Sequence, residues 1–136
     1  VDQEPPKVAS PFPMLVPQVD ADGNDLPGIR MPEIAVPLAT FLGWNFFNER
    51  SGPATELVAL TGSFVPFART KAERELAKDP RPSIEERYSS KAVYLDLIRK
   101  AAANLVEKDY LREEDVPRIV QQAGTRWDWV NQQVSK

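Results

Sequence analysis

Few side chains in this sequence have the types and spacing that chemistry needs. Its 136 residues include no His and no Cys. A Ser-His-Asp triad made by this chain alone is therefore excluded. So are a thiol nucleophile, a disulfide framework, and zinc, haem or copper held by His or Cys. No metal and no cofactor is expected. Ser63 follows Gly62, but Leu60-Thr61-Gly62-Ser63-Phe64-Val65 departs from the G-x-S-x-G elbow on both sides. The adjacent acids Glu85/Glu86 and Glu113/Glu114/Asp115 suit acid–base work by type. They stand at expected helix starts, where capping and the helix dipole explain them at lower cost. Asp20, Asp22 and Asn24 have the alternate spacing of a calcium loop, yet Gly23 comes two positions early and Met31 occupies the place of the ligating Glu. A turn is the stronger reading.

No catalytic residue is thus assigned. The remaining candidates are aromatic: Trp44, Phe46 and Phe47 in one knot, Phe64 and Phe67 in a second, Trp127 and Trp129 near the end. They are read as binding or interface residues, with a core corner as the bland alternative.

Those side chains must be positioned by three sections of different character. Residues 1–47 form a Pro-rich extended arm with short edge strands, for eight of the thirteen prolines fall before residue 41. Each removes an N–H donor and restricts the residue before it, which disfavours helix. The arm is nevertheless apolar, so it is expected to lie against another polypeptide. Val19 to Arg30 reads as strand, turn, strand. Ile34, Val36 and Leu38 alternate as a half-buried strand despite Pro37. Residues 48–69 are an irregular aromatic segment, and strands are expected only within 16–45.

Residues 70–136 form a helical region. Thr70-Lys71-Ala72-Glu73 and Ser83-Ile84-Glu85-Glu86 are capping boxes. Tyr94, Leu97, Ile98, Ala101, Ala102 and Leu105 recur at three and four. Helices are expected near 70–78, 84–88, 91–109, 114–123 and 126–133, with Gly124 separating the last two. The fold class is a mainly α C-terminal half, about five helices by this spacing, preceded by the arm.

Charge and hydropathy narrow the class further. Seventeen basic against twenty acidic residues give a net charge of −3, which argues against nucleic acid as a partner. No run of about 18 apolar residues exists, so no membrane span is expected. The start, Val1-Asp2-Gln3-Glu4-Pro5-Pro6, lacks the basic and apolar regions of a signal peptide. It also lacks an initiator Met, as a cut chain or one with Met removed would.

Three runs carry a family resemblance. They are Gly28-Ile29-Arg30-Met31-Pro32-Glu33-Ile34-Ala35-Val36-Pro37-Leu38-Ala39-Thr40-Phe41-Leu42-Gly43-Trp44-Asn45, then Gly62-Ser63-Phe64-Val65-Pro66-Phe67-Ala68-Arg69-Thr70-Lys71-Ala72-Glu73-Arg74-Glu75, then Asp79-Pro80-Arg81-Pro82-Ser83-Ile84-Glu85-Glu86-Arg87-Tyr88. Together they resemble the C-terminal region of large bacterial alpha/beta hydrolase domain proteins, over residues 15 to 130. The resemblance implies the terminal part of an α/β hydrolase-type fold and an extracytoplasmic place. It carries no catalytic residue onto this chain. The expected function is a segment that completes such a fold and walls its active site, in a serine-type, esterase-like hydrolase whose catalytic residues lie elsewhere. Its partner would be an upstream hydrolase domain, a second chain or a homo-oligomer. The alternative is a non-enzymatic accessory subunit that docks through its arm and its Trp-bearing face.

Overall fold

The computed structural model describes residues 15–48, 50, 56–58 and 61–132. Its helices begin where the sequence places their caps. Thr70 accepts the Glu73 N–H at 3.2 Å and opens α2 (Lys71–Ala77). The Glu73 carboxylate returns one residue further than a capping box requires, to the Arg69 N–H at 3.0 Å. Lys78, in the left-handed region at φ 53°, ends the helix ahead of Pro80. Glu86 accepts the Ser83 N–H at 2.9 Å and the Ser83 hydroxyl at 2.7 Å, fixing the start of α3 (Ile84–Arg87). Ser90 accepts the Val93 N–H and opens α4 (Lys91–Glu107), which buries Tyr94, Ile98, Ala102 and Leu105 along one stripe.

After a 3-10 turn at Glu113–Asp115 comes α5 (Val116–Gln132), a single helix where two were expected. Gly124 is not a C-cap. It lies buried inside α5 against α4, where a Cβ would sit 3.7 Å from Lys91 Cε and 3.9 Å from a Leu95 methyl. A Cβ would fit there at ordinary contact distance, so the residue neither ends the helix nor is required by its packing, and the punctuation read from it is absent.

The arm also departs from expectation. Pro32 starts a one-turn helix, α1 (Pro32–Ala35), at the position where its missing N–H is not needed. The Met31 carbonyl accepts from the Ile34 and Ala35 N–H groups. The strand expected across Ile34, Val36 and Leu38 therefore begins only at β1 (Ala39–Leu42). Three apolar residues in a short stretch fit either period, and the proline decides.

Strands extend beyond residue 45 as well. β2 (Asn45–Phe46) pairs antiparallel with β3 (Leu57–Val58), and β1 pairs antiparallel with β4 (Ser63–Pro66). In the second pair Ala39 faces Pro66 and Phe41 faces Phe64. The section from 48 to 69, read as irregular, thus supplies the partners of the arm's strands. Gly62 permits the crossing: a Cβ there would lie 2.6 Å from the Leu42 carbonyl oxygen.

The core gathers Leu38, Phe67, Ile84, Tyr88, Tyr94, Ile98, Ala123 and Val130, drawn from every section. The Tyr94 and Trp127 rings stack at 5.1 Å, and the Tyr88 ring meets Tyr94 edge-on at 5.2 Å. Asn24, Pro32, Leu38, Ala39 and Thr40 are buried, so at these points the arm packs on its own chain. Part of the arm expected to lie against another polypeptide is thus covered by its own chain, while Leu26, Ile29, Met31, Trp44 and Phe46 stay exposed. Leu15 remains 93% exposed. Residues 1–14 lie outside the described residues. No described helix is long and apolar enough to cross a membrane.

Candidate interface surface

The residues with catalytic or ligating types are engaged in holding the fold. The Ser63 hydroxyl donates to the Trp44 carbonyl at 2.6 Å, stitching the two strand pairs together. Glu85 accepts the Lys71 N–H at 2.5 Å, and Glu86 accepts from Arg74 at 2.9 Å besides Ser83. In the 3-10 turn Asp115 pairs with Arg118 at 2.8 Å and Glu114 with Arg112 at 3.1 Å. Among the described residues no group of three His, Cys, Asp or Glu side chains could hold a metal ion.

The calcium-like spacing is a turn with every oxygen taken up. Asp20 Oδ1 accepts the Asp22 and Asn24 N–H groups at 2.9 and 3.0 Å, and Oδ2 accepts from Arg30 at 2.6 Å. Burial alone pushes the Asp20 carboxyl up. The Asn24 N–H, the Arg30 guanidinium and the Asp22 N–H outweigh it and hold the carboxyl below its ordinary value. Asp22 is gripped by Arg87 of α3. The Asn24 side chain donates to Ala39 O at 3.1 Å and accepts the Phe41 N–H at 2.8 Å, standing in for a strand along the free edge of β1.

Sequence reasoning missed the arginines that fasten this turn to the helices. Arg81 donates to Asp79 at 2.6 Å, to Thr40 Oγ1 at 2.7 Å and to the Val65 carbonyl at 3.2 Å. That ion pair holds the Asp79 carboxyl below its usual range. The Arg87 and Arg81 guanidinium carbons lie 4.2 and 5.1 Å from the centre of the Phe67 ring. No local pattern announces the contacts of Arg81 with Thr40 and Val65 or those of Arg87 with Asp22, because these partners are distant in sequence.

The seven aromatic candidates are not brought together. Phe67, 2% exposed, belongs to the core, and Trp127 packs against it through Tyr88 and Tyr94. Trp44 and Phe46 meet edge-on at 5.3 Å at the β2–β3 pair, both about half exposed, with exposed Leu57 opposite Phe46. Phe47 is half-buried beside them, its N–H donating to the Glu56 carbonyl at 3.2 Å. Phe64 and Trp129 meet edge-on at 5.7 Å on the far side of β4 and α5. They border an open groove of about 760 Å³ with Gln121, Gln122, Thr125 and Arg126. Two separate aromatic surfaces result, one on the strands and one along α5.

The comparisons agree with the motifs that hold this architecture. A family model described as an alpha/beta hydrolase domain matches residues 1–121. No curated protein and no solved structure matches the chain. The match takes in the arm, both strand pairs, α2 to α4 and the first turn of α5, and on that extent the chain belongs to the alpha/beta hydrolase domain family.

Proposed function

We propose that this chain is a C-terminal segment of an alpha/beta hydrolase-like protein, completing its fold and walling its active site, with no complete catalytic site of its own. One observation carries the reading: a chain of this family has no His at all, and its Ser63 hydroxyl is spent on a backbone carbonyl. A serine hydroxyl is a weak nucleophile without an adjacent base, so the family's chemistry needs residues from outside this chain. Exposed Leu15, Val16, Ile29, Trp44, Phe46 and Leu57 support a partner polypeptide, since such apolar surface is costly in water.

The test is the intact mass of the native gene product together with labelling by a fluorophosphonate. A product much larger than 15.3 kDa, labelled on a serine outside these residues, is expected. A native 15.3 kDa product that takes no label favours the second reading, a non-enzymatic accessory subunit docking through its arm and its Trp-bearing face. Labelling of a serine within these residues would overturn both.

A further inference from the structure

We infer that the α5 groove binds a small carboxylate with an aromatic body, held by Arg126. The groove's residues come from one face of α5, where Gln122, Arg126 and Trp129 are spaced four and three apart, and from Phe64 of β4. Its volume of about 760 Å³ falls within the range of small-molecule sites. One wall is aromatic and continuous: Phe41 meets Phe64 edge-on at 5.1 Å, and Phe64 meets Trp129 at 5.7 Å. A flat apolar body fits against such rings by stacking or edge contact.

The charge of the occupant follows from Arg126. Among the described residues every other partly buried arginine, Arg30, Arg69, Arg74, Arg81 and Arg87, holds a carboxylate. Arg126 is equally half-buried and has no described carboxylate partner; its guanidinium carbon rests 5.8 Å from the centre of the Phe41 ring. A guanidinium beside an apolar wall pairs with a carboxylate through two parallel hydrogen bonds. Among the described residues that line the groove Arg126 is the single cation, and the Gln121 and Gln122 side chains are uncharged donors, so the charge to be matched is that of a monoanion rather than a phosphate dianion. The Thr125 hydroxyl donates to the Gln121 carbonyl, which leaves its oxygen to accept. The inference concerns binding by the 136-residue chain and is independent of where the hydrolytic residues lie.

The probes are 2-naphthoate and its neutral counterpart 2-naphthamide, titrated calorimetrically into the 136-residue chain and followed by amide chemical shifts. Naphthoate is expected to bind about tenfold tighter than naphthamide, the effect of one charge-assisted pair. Shift changes are expected at Gln121, Gln122, Thr125 and Trp129. Arg126→Gln should bring naphthoate down to the naphthamide level. Equal affinity for the two probes, no binding of naphthoate, or shift changes confined to another surface would each overturn the assignment. The wild-type comparison stands even if Arg126→Gln fails to fold.

Discussion

Arg87 and Asp22 lie 65 residues apart and meet through two guanidinium nitrogens and both carboxylate oxygens, with Nη1 2.8 Å from Oδ2. The same guanidinium covers the face of buried Phe67 and donates through Nε to the Pro82 carbonyl at 2.9 Å. One side chain of α3 thereby fixes the turn of the arm, the aromatic core and the entry to its own helix. Both side chains are about 15% exposed, so solvent screens the pair less than it would a surface bridge. Arg87→Met is expected to lower the unfolding free energy by about 2 kcal/mol, because it leaves a partly buried carboxylate without its donors. Urea denaturation at neutral pH measures it. An effect below about 0.5 kcal/mol, the range of ordinary surface substitutions, would show that the arm is held by other contacts.

Asn24 has no exposed surface, and its amide satisfies two backbone groups of β1. Asn24→Ala orphans both the Ala39 carbonyl and the Phe41 N–H, and should destabilise the chain by about 2–3 kcal/mol. Hydrogen exchange gives the local reading: the Phe41 amide should lose protection more than amides of α4. Uniform loss across the chain would mean that the side chain matters for overall packing rather than for the strand edge.

The caps of α2 and α3 and the stripe of α4 were legible because each is written within a few residues. The α1 turn was not, since Pro32 permits a helix start as readily as it forbids a helix interior. The strands of residues 57–66 were hidden by Pro66 and by their shortness; their pairing with β1 and β2 depends on partners 11 to 27 residues away, which no local period encodes. The aromatic residues were visible as types, but burial divided them: Phe67 went to the core under two arginines while Phe64 and Trp129 stayed at a surface. Calcium and nucleophile patterns failed at the sequence level, and Arg30, Arg87 and the Trp44 carbonyl are the groups that occupy those atoms.

The two informative glycines should respond in opposite directions. A Cβ at Gly124 meets its neighbours at ordinary contact distance within a helix, so Gly124→Ala is expected to stabilise by about 1 kcal/mol and raise Tm by about 4 °C. A Cβ at Gly62 would strike the Leu42 carbonyl oxygen at 2.6 Å, so Gly62→Ala should lower Tm. Calorimetry of both variants checks the packing of α4 on α5 and the strand crossing independently. A lowered Tm for Gly124→Ala would contradict the continuous α5.

Stability should fall at both extremes of pH. Arg81 holds Asp79 below its ordinary value of 3.8, and the hydrogen bonds to Asp20 do the same. A depressed carboxyl contributes stability that is present above the unfolded value and is lost as pH falls through the folded one. Unfolding free energy is thus expected to decline below about pH 4, and Asp79→Asn should flatten that decline. Tyr88 runs the other way: burial pushes its hydroxyl up from 10.0 to about 12, and that hydroxyl donates to the Pro37 carbonyl at 2.9 Å. Its contribution is complete below 10.0 and is lost as pH rises toward about 12. Tyr88→Phe should cost about 1 kcal/mol at neutral pH and weaken the alkaline loss. A pH profile identical in the wild type and both variants would refute these assignments.

The most direct test of the completing-segment reading is turnover of an activated ester, such as p-nitrophenyl acetate, by the purified 136-residue chain at neutral pH. The chain has no imidazole to serve as base, and Ser63 donates its proton to the Trp44 carbonyl. Hydrolysis indistinguishable from buffer is the expected result, in the wild type and in Ser63→Ala alike. Turnover above background that disappears in Ser63→Ala would contradict the proposal, because this chain would then carry a working nucleophile of its own.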